Sequence, residues 1–84
     1  MIEISHHAHR QWHRRADTPG VDPRVAWTVG HQLDDIPDFE EGRYHPQSET
    51  VLCRRGTVVV TIYDARDVTA TLRKQIDSCR EETP

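Results

Sequence analysis

The residues best equipped for chemistry lie at the start of the chain. Four of the six histidines and three of the ten arginines fall within residues 5–15, which read SHHAHRQWHRR. Imidazole exchanges protons near neutral pH, and guanidinium groups bind phosphate through a planar fork of donors. Clustered histidines can also bind a transition metal. The segment therefore predicts either an anion-binding surface or a metal site.

The metal alternative depends on three histidines of this segment. On a helix, His6, His9 and His13 fall within an arc about 60° wide, and His9 and His13 have the i, i+4 spacing that can bind zinc. Cys53 and Cys79 lack CxxC spacing, and we interpret them as reduced thiols, with a single disulfide as the alternative. Because no further ligand is evident, we interpret the three histidines as a solvated face and expect no cofactor, while metal binding stays open.

The anion-binding alternative depends on the other side of the same helix. His7 falls in the first turn, on the side that carries Arg10 and Arg14. A neutral imidazole beside a bound phosphate is suited to proton transfer. We therefore predict a catalytic role for His7 and a binding role for Arg10 and Arg14.

Arg15 differs from the other basic residues because it shares an arc with the apolar residues Ala8, Trp12 and Ala16. A guanidinium near the core must be paired, because an unpaired buried charge is too costly. Arg15 either forms a salt bridge with the acidic segment 34–41 or contacts a phosphate at the edge of the core.

Hydrophobic periodicity and capping residues predict the elements that position these side chains. Ser5 caps a helix over residues 6–16, and Asp22-Pro23 begins a second helix that ends near Leu33. Strands are predicted over residues 2–4, 43–45, 50–54 and 57–63, and a final helix over residues 67–82. The order β-α-α-β-β-β-α predicts a single α+β domain over residues 1–84, with a small antiparallel sheet and helices on one face.

The strand pattern assigns the faces of this sheet. With Arg55-Gly56 as a two-residue turn, Leu52 pairs with Val59, and the core face carries Val51, Cys53, Val58, Val60 and Ile62. The opposite face, with Arg54 and Tyr63, would be open to a ligand.

Two aromatic positions remain ambiguous. The turn after residue 45 places either His45 or Tyr44 on the open face, depending on its length. Val25, Ala26, Val29 and Leu33 form the predicted buried stripe of the second helix, and Trp27 lies opposite that stripe. Trp27 therefore either contacts a partner protein or is covered by the acidic segment.

Composition narrows the class of function. The formal charge is −3, but residues 34–50 alone sum to −5, whereas residues 51–66 sum to +2. This distribution argues against wholesale nucleic-acid binding and permits a local anion site. One lysine against eight aspartates and eight threonines is typical of salt-loving archaea. Without a long apolar run or a leader-like start, we expect a cytoplasmic protein with no membrane span.

The pattern His7-Ala8-x-x-x-Trp12-x-x-Arg15, the helix start Val21-Asp22-Pro23 and a late hairpin with Arg54 resemble a known group of domains. These are small domains opening HAxxRMxxR, related to the RelE and BrnT toxins of toxin–antitoxin pairs, and the resemblance covers about residues 2–66. It implies a RelE-like fold, a metal-independent ribonuclease of the mRNA interferase type, an RNA substrate and a small antitoxin-like partner.

By position, the resemblance makes His7, Arg15 and Arg54 catalytic candidates, with Tyr63 similar in placement. Gln11 stands where the related domains often have arginine, and the acidic charge also departs from RelE-type toxins. Two other functions stay open: a non-catalytic protein-interaction module of the same fold, and a metal-binding protein. A homodimer is also left open.

Overall fold

The computed structural model describes residues 2–34, 36 and 38–82, so Asp35 of the acidic segment lies outside it. Its strands are β1 (Glu3–Ile4), β2 (His31–Leu33), β3 (Glu41–His45), β4 (Thr50–Arg55) and β5 (Val58–Asp64). Its helices are α1 (His6–Arg15), α2 (Pro23–Val29) and α3 (Ala70–Glu82), and a short 3-10 turn covers Ala65–Asp67. The predicted α+β class is confirmed.

The five strands form one sheet in the order β1-β5-β4-β3-β2. The β2–β3, β3–β4 and β4–β5 pairs are antiparallel, whereas β1 pairs with β5 in parallel. The sheet is therefore mixed, and not wholly antiparallel as predicted. Between β1 and β5 the chain passes through α1, α2 and the other three strands, which provides the long connection that a parallel pair needs.

Helices cover both faces of the sheet, which corrects the prediction of a single covered face. Leu52 of β4 packs with Trp12 of α1 and Trp27 of α2. Its neighbours Val51 and Cys53 point the other way. Their cluster contains Leu72 and Ile76 of α3. Alternate residues of a strand point to opposite faces, so β4 is buried on both sides.

The second helix is shorter than predicted, and its predicted buried stripe is wrong at Val25 and Val29. It ends at Val29, and His31–Leu33 form the edge strand β2 instead of a last helical turn. Ala26 and Trp27 are buried, whereas Val25 and Val29 are 52% and 59% exposed. Gly30 allows this sharp change of direction, since a Cβ there would lie 3.0 Å from the carbonyl oxygen of Ala26.

The β4–β5 hairpin turns one residue later than predicted. Gly56 and Thr57 form its loop, and Gly56 has a φ of +59°, which glycine adopts readily. Arg54 then faces Val59, but Cys53 faces Thr61, so a β-bulge shifts the register. The shift pairs Leu52 with Ile62, and this overturns the face assignment made from the sequence.

Side chains of α1 complete one edge of β5 beyond the two-residue strand β1. The side-chain oxygen Oε1 of Gln11 accepts a hydrogen bond from the backbone N–H of Ile62 at 2.8 Å. Arg15 Nη1 donates to the carbonyl oxygen of the same Ile62 at 2.9 Å. Both peptide groups of Ile62 are therefore satisfied by the helix, although no strand pairs with them on that side.

At the far edge of the sheet, α3 meets the end of β2. Gln75 accepts from the backbone N–H of Asp34 at 2.6 Å and donates to the carbonyl oxygen of Asp34 at 2.6 Å. Within the described part of the chain, no helix has the length and apolarity needed to cross a membrane.

Candidate nucleic-acid interface

Helix α1 presents a basic and histidine-rich surface to solvent. Its inward positions Ala8 and Trp12 are buried against β5 and α2, with exposures of 0% and 1%. Ser5 fixes its start, accepting a hydrogen bond from the backbone N–H of Ala8 at 3.1 Å. The outward side chains are all exposed: His6, His7, His9, Arg10, His13 and Arg14. We call these six residues the α1 face.

The cations of the α1 face are not neutralised locally. Helix α1 contains no acidic residue, and neither Arg10 nor Arg14 forms an ion pair with any described side chain. Asp17, just beyond the helix, is held by Arg66 at 2.9 Å. The α1 face is therefore a local cationic surface on a chain of negative net charge, as an anion site requires.

Arg15 contributes more to holding the fold together than to the α1 face. It is half-buried and donates to the Ile62 carbonyl oxygen, and it forms no salt bridge with the described residues of segment 34–41. Its charge acts on Asp64, whose pKa is lowered mainly by a hydrogen bond from Arg66 and to a smaller degree by the charge of Arg15. A phosphate reaching Arg15 would compete with a backbone contact.

Arg54 lies on the same face of the sheet, at the hairpin end, and is already engaged. Its Nη2 lies 2.9 Å from Glu41 Oε1, and its Nη1 lies 3.1 Å from Glu40 Oε2 and 2.6 Å from the Gly56 carbonyl oxygen. Arg54 faces Val59, whereas Arg15 reaches Ile62, three residues further along β5. At about 3.3 Å per residue, these two attachment points are about 10 Å apart.

Tyr63 lies on the opposite face of the sheet. Its cross-strand partner is Val51, which packs with α3, and its ring meets Phe39 edge-on with centroids 6.5 Å apart. It lines a cleft of about 280 Å³ between the acidic segment and α3, together with Ile36 and Leu72. The structure thus places Tyr63 and Arg54 on different faces, and their catalytic roles stay predictions.

His45 and Tyr44 are both buried, since no face of the sheet is open. His45 is 4% exposed, and its Nδ1 lies 2.6 Å from Ser48 Oγ, which in turn lies 2.7 Å from Thr50 Oγ1. Burial lowers the pKa of His45, and the charge of His31 lowers it further. The predicted binding role of His45 would require this buried network to open.

Trp27 is not the exposed contact residue that its position opposite the stripe suggested. It is 4% exposed, and the guanidinium carbon of Arg43 lies 4.2 Å from its ring centroid. Arg43 also donates from Nη1 to the Trp27 carbonyl oxygen at 2.8 Å. A cation from β3, and not the acidic segment, therefore covers this ring.

The thiols and histidines show no metal-binding geometry. Within the described residues, no group of three or more His, Cys, Asp and Glu side chains is arranged to hold a metal ion. Cys53 and Cys79 form no disulfide, and burial raises the pKa of Cys53 to about 12. Cys53 is therefore a packing residue, as predicted.

Sequence reasoning missed one cluster on the α1–α2 side of the sheet. Glu41, Arg43 and Arg54 converge there, with Arg43 Nε 2.6 Å from Glu41 Oε2. Burial alone would raise the pKa of Glu41, but hydrogen bonds from the two arginines outweigh it and lower the pKa. The Glu-x-Arg spacing on a strand, which places both side chains on one face, was the available signal.

Comparison with known proteins adds one finding. The sequence profile of a family described as a "putative RelE superfamily toxin domain" matches residues 4–66, which run from Ile4 of β1 through β5 and do not reach α3. No curated protein and no solved structure matches the chain.

Proposed function

Because the chain belongs to this family of RelE superfamily toxin domains, we propose that it is the toxin of a toxin–antitoxin pair and that it cleaves RNA in the cytoplasm without a metal. The observation that carries the RNA target is the α1 face, a surface of four histidines and of two arginines that form no ion pair with the described side chains, with no acidic residue among them. Phosphate contacts supply most of the affinity of sequence-independent RNA binding.

The proposed chemistry uses the α1 face alone. Arg10 and Arg14 hold phosphates of a single strand, and His7 accepts the proton of a ribose 2′-OH. The freed oxygen attacks the adjacent phosphorus, the bond to the 5′ oxygen breaks, and a water molecule protonates that oxygen. The hydroxide that remains takes the proton from His7, which restores the neutral imidazole. The products are a 2′,3′-cyclic phosphate and a 5′-hydroxyl end.

Growth arrest on induced expression tests this proposal, in a host whose salt content suits an acidic, lysine-poor chain. The wild type is compared with His7→Gln and with the double variant Arg10→Gln, Arg14→Gln, and RNA integrity is read from the same cultures. The matched control is Lys74→Gln, which removes an exposed cation from α3 on the other side of the sheet.

We expect arrest with cleaved RNA in the wild type and the control, and neither in the α1 variants. Arrest that survives in both α1 variants would overturn the assignment of the site. No arrest from soluble, folded wild type would overturn the toxin proposal in this host.

A non-catalytic interaction module is the second candidate, and exposed apolar residues on α2 favour it. Val25 and Val29 are one helical turn apart and more than half exposed, which is typical of a contact surface. Under this alternative, Val25→Ser with Val29→Ser abolishes partner binding, while the variants of the α1 face leave it unchanged. Co-expression with the product of the adjacent gene, followed by co-purification of each variant, distinguishes the two.

A further inference from the structure

The cluster of Glu41, Arg43 and Arg54 has the form of an anion site that is already filled. Each oxygen of the Glu41 carboxylate meets a different guanidinium, at 2.6 Å from Arg43 Nε and 2.9 Å from Arg54 Nη2. The side chain of Glu41 is 13% exposed, and those of the arginines are 27% and 24% exposed. Two forks of donors thus converge on one carboxylate at the surface.

Both guanidiniums are held in place by contacts other than Glu41. Arg43 donates to the Trp27 carbonyl oxygen at 2.8 Å and lies over the Trp27 ring. Arg54 donates to the Gly56 carbonyl oxygen at 2.6 Å. These anchors would keep the two cations converging if the carboxylate left, which is the pre-organisation that an anion site needs.

The surroundings leave room for a larger anion. A wide-mouthed cleft of about 260 Å³ opens at the cluster, where Ile2, Gly56 and Thr57 also line it. Carboxylate and phosphate offer similar oxygen pairs to an arginine fork, so one can take the place of the other. The side chain of Glu40 is 61% exposed and meets Arg54 at Nη1, and Glu40 does not line the cleft.

We propose that Arg43 and Arg54 form a second phosphate-binding site for RNA, which the carboxylate of Glu41 occupies and keeps closed in the free protein. The identification of RNA as the ligand rests on the proposed function above, whereas the anion site itself rests on the cluster. The site lies on the α1–α2 side of the sheet, at the β4–β5 hairpin. It therefore contacts further phosphates of the same RNA strand that the α1 face binds. Glu41 therefore competes with RNA phosphates for this site and weakens RNA binding.

Glu41→Gln tests the proposal, because the amide is nearly isosteric and carries no charge to hold the two arginines. The matched control is Glu3→Gln, which makes the same change of charge on an exposed strand residue at the same end of the sheet. Affinity for a fluorescent 12-nucleotide oligouridine is measured over a range of salt concentrations, and inorganic pyrophosphate is titrated separately. Circular dichroism checks that each variant is folded.

We expect Glu41→Gln to bind the oligouridine about three- to tenfold more tightly than Glu3→Gln, with a salt slope steeper by about 0.7, the value for one more phosphate contact on a single strand. Adding Arg43→Gln should abolish the gain. Equal affinities and slopes for Glu41→Gln and Glu3→Gln would overturn the proposal. Glu41→Thr, a good strand former, replaces Glu41→Gln if that variant does not fold, and the same outcomes apply.

Measuring oligouridine and pyrophosphate binding separately tests the anion site and the proposed ribonuclease function independently. Tighter pyrophosphate binding by Glu41→Gln, without RNA cleavage by any variant, would support the anion site and contradict the ribonuclease. RNA cleavage by the wild type with no gain for either ligand in Glu41→Gln would support the ribonuclease and contradict the anion site.

Discussion

Arg15 at the end of α1 donates a hydrogen bond of 2.9 Å to the carbonyl oxygen of Ile62 in the middle of β5. Gln11, one turn earlier, accepts from the N–H of the same residue. The motif positions Ala8 and Trp12 are core residues. Four positions of the opening motif therefore attach α1 to the sheet. His7 is the motif position whose side chain remains exposed.

This relationship predicts that Arg15 contributes chiefly to stability. Arg15→Met removes the donor to a carbonyl group that no strand pairs with on that side, and we expect the free energy of unfolding to fall by about 1–2 kcal/mol. Urea denaturation measures it. Arg14→Met, on the exposed side of the same helix, is the control and should change the free energy by less than about 0.5 kcal/mol. Equal values for the two variants would show that water replaces the Arg15 contact.

The α1 face predicts the salt dependence of RNA binding. Arg10→Gln and Arg14→Gln should each weaken binding of an oligouridine and reduce the salt slope by about 0.7, since each removes one phosphate contact. Fluorescence anisotropy at several salt concentrations measures both. Lys74→Gln should leave the slope unchanged, and a similar loss in that variant would mean that the attraction is spread over the whole surface.

The buried His45 predicts a loss of stability at mildly acid pH. Burial and His31 lower its pKa below the ordinary 6.5, so the unfolded chain binds the proton first as the pH falls. The contribution of His45 to the free energy of unfolding is therefore fully present above pH 6.5, and it is lost progressively as the pH falls below that value. We expect the urea midpoint to fall between pH 7.5 and 5.5 in the wild type, and to fall less in His45→Gln.

Glu41 and Asp64 affect the free energy of unfolding in a lower pH range than His45 does. Glu41 and Asp64 have lowered pKa values, so their contribution to stability is present above their ordinary values of 4.5 and 3.8 and is lost at lower pH. Glu41→Gln should therefore leave the loss between pH 7.5 and 5.5 intact. A loss that disappears in Glu41→Gln but persists in His45→Gln would contradict the assignment to the imidazole.

The two thiols should differ in reactivity. Cys53 is 1% exposed with a pKa of about 12, so its reactive thiolate is scarce at pH 8 and shielded by α3. Cys79, half-buried on α3, should react first with a maleimide. Mass spectrometry should find one adduct on the native protein and two in denaturant. Two adducts at equal rates on the native protein would indicate that α3 detaches from the sheet.

Local signals predicted the elements that begin with a strong cap. Ser5 and the Asp22-Pro23 pair start α1 and α2 as expected, and each cap accepts a hydrogen bond from its own first turn. Ile36 and Phe39 of the acidic segment are partly buried and pack on the α3 side. These features depend on residues close in sequence, which periodicity and capping describe well.

Tertiary packing decided the rest. The apolar pattern of α2 favoured Val25 and Val29, yet Trp27 is the buried residue because its larger ring fills the space beneath Arg43. The β-bulge opposite Cys53 reversed the predicted hairpin faces, and no composition rule marks its position. The strand His31–Leu33 pairs with β3, which follows it in the chain after a loop. Helical periodicity in the sequence does not indicate such a pairing.

Near each border of the sheet, one residue has its peptide groups satisfied by side chains that imitate a neighbouring strand. Gln11 and Arg15 take the two peptide groups of Ile62 on one side, and the amide of Gln75 takes both those of Asp34 on the other. Open borders invite another chain to add a strand and lead to aggregation. A second copy consequently could not extend the sheet at Ile62 or Asp34 without first displacing these side chains.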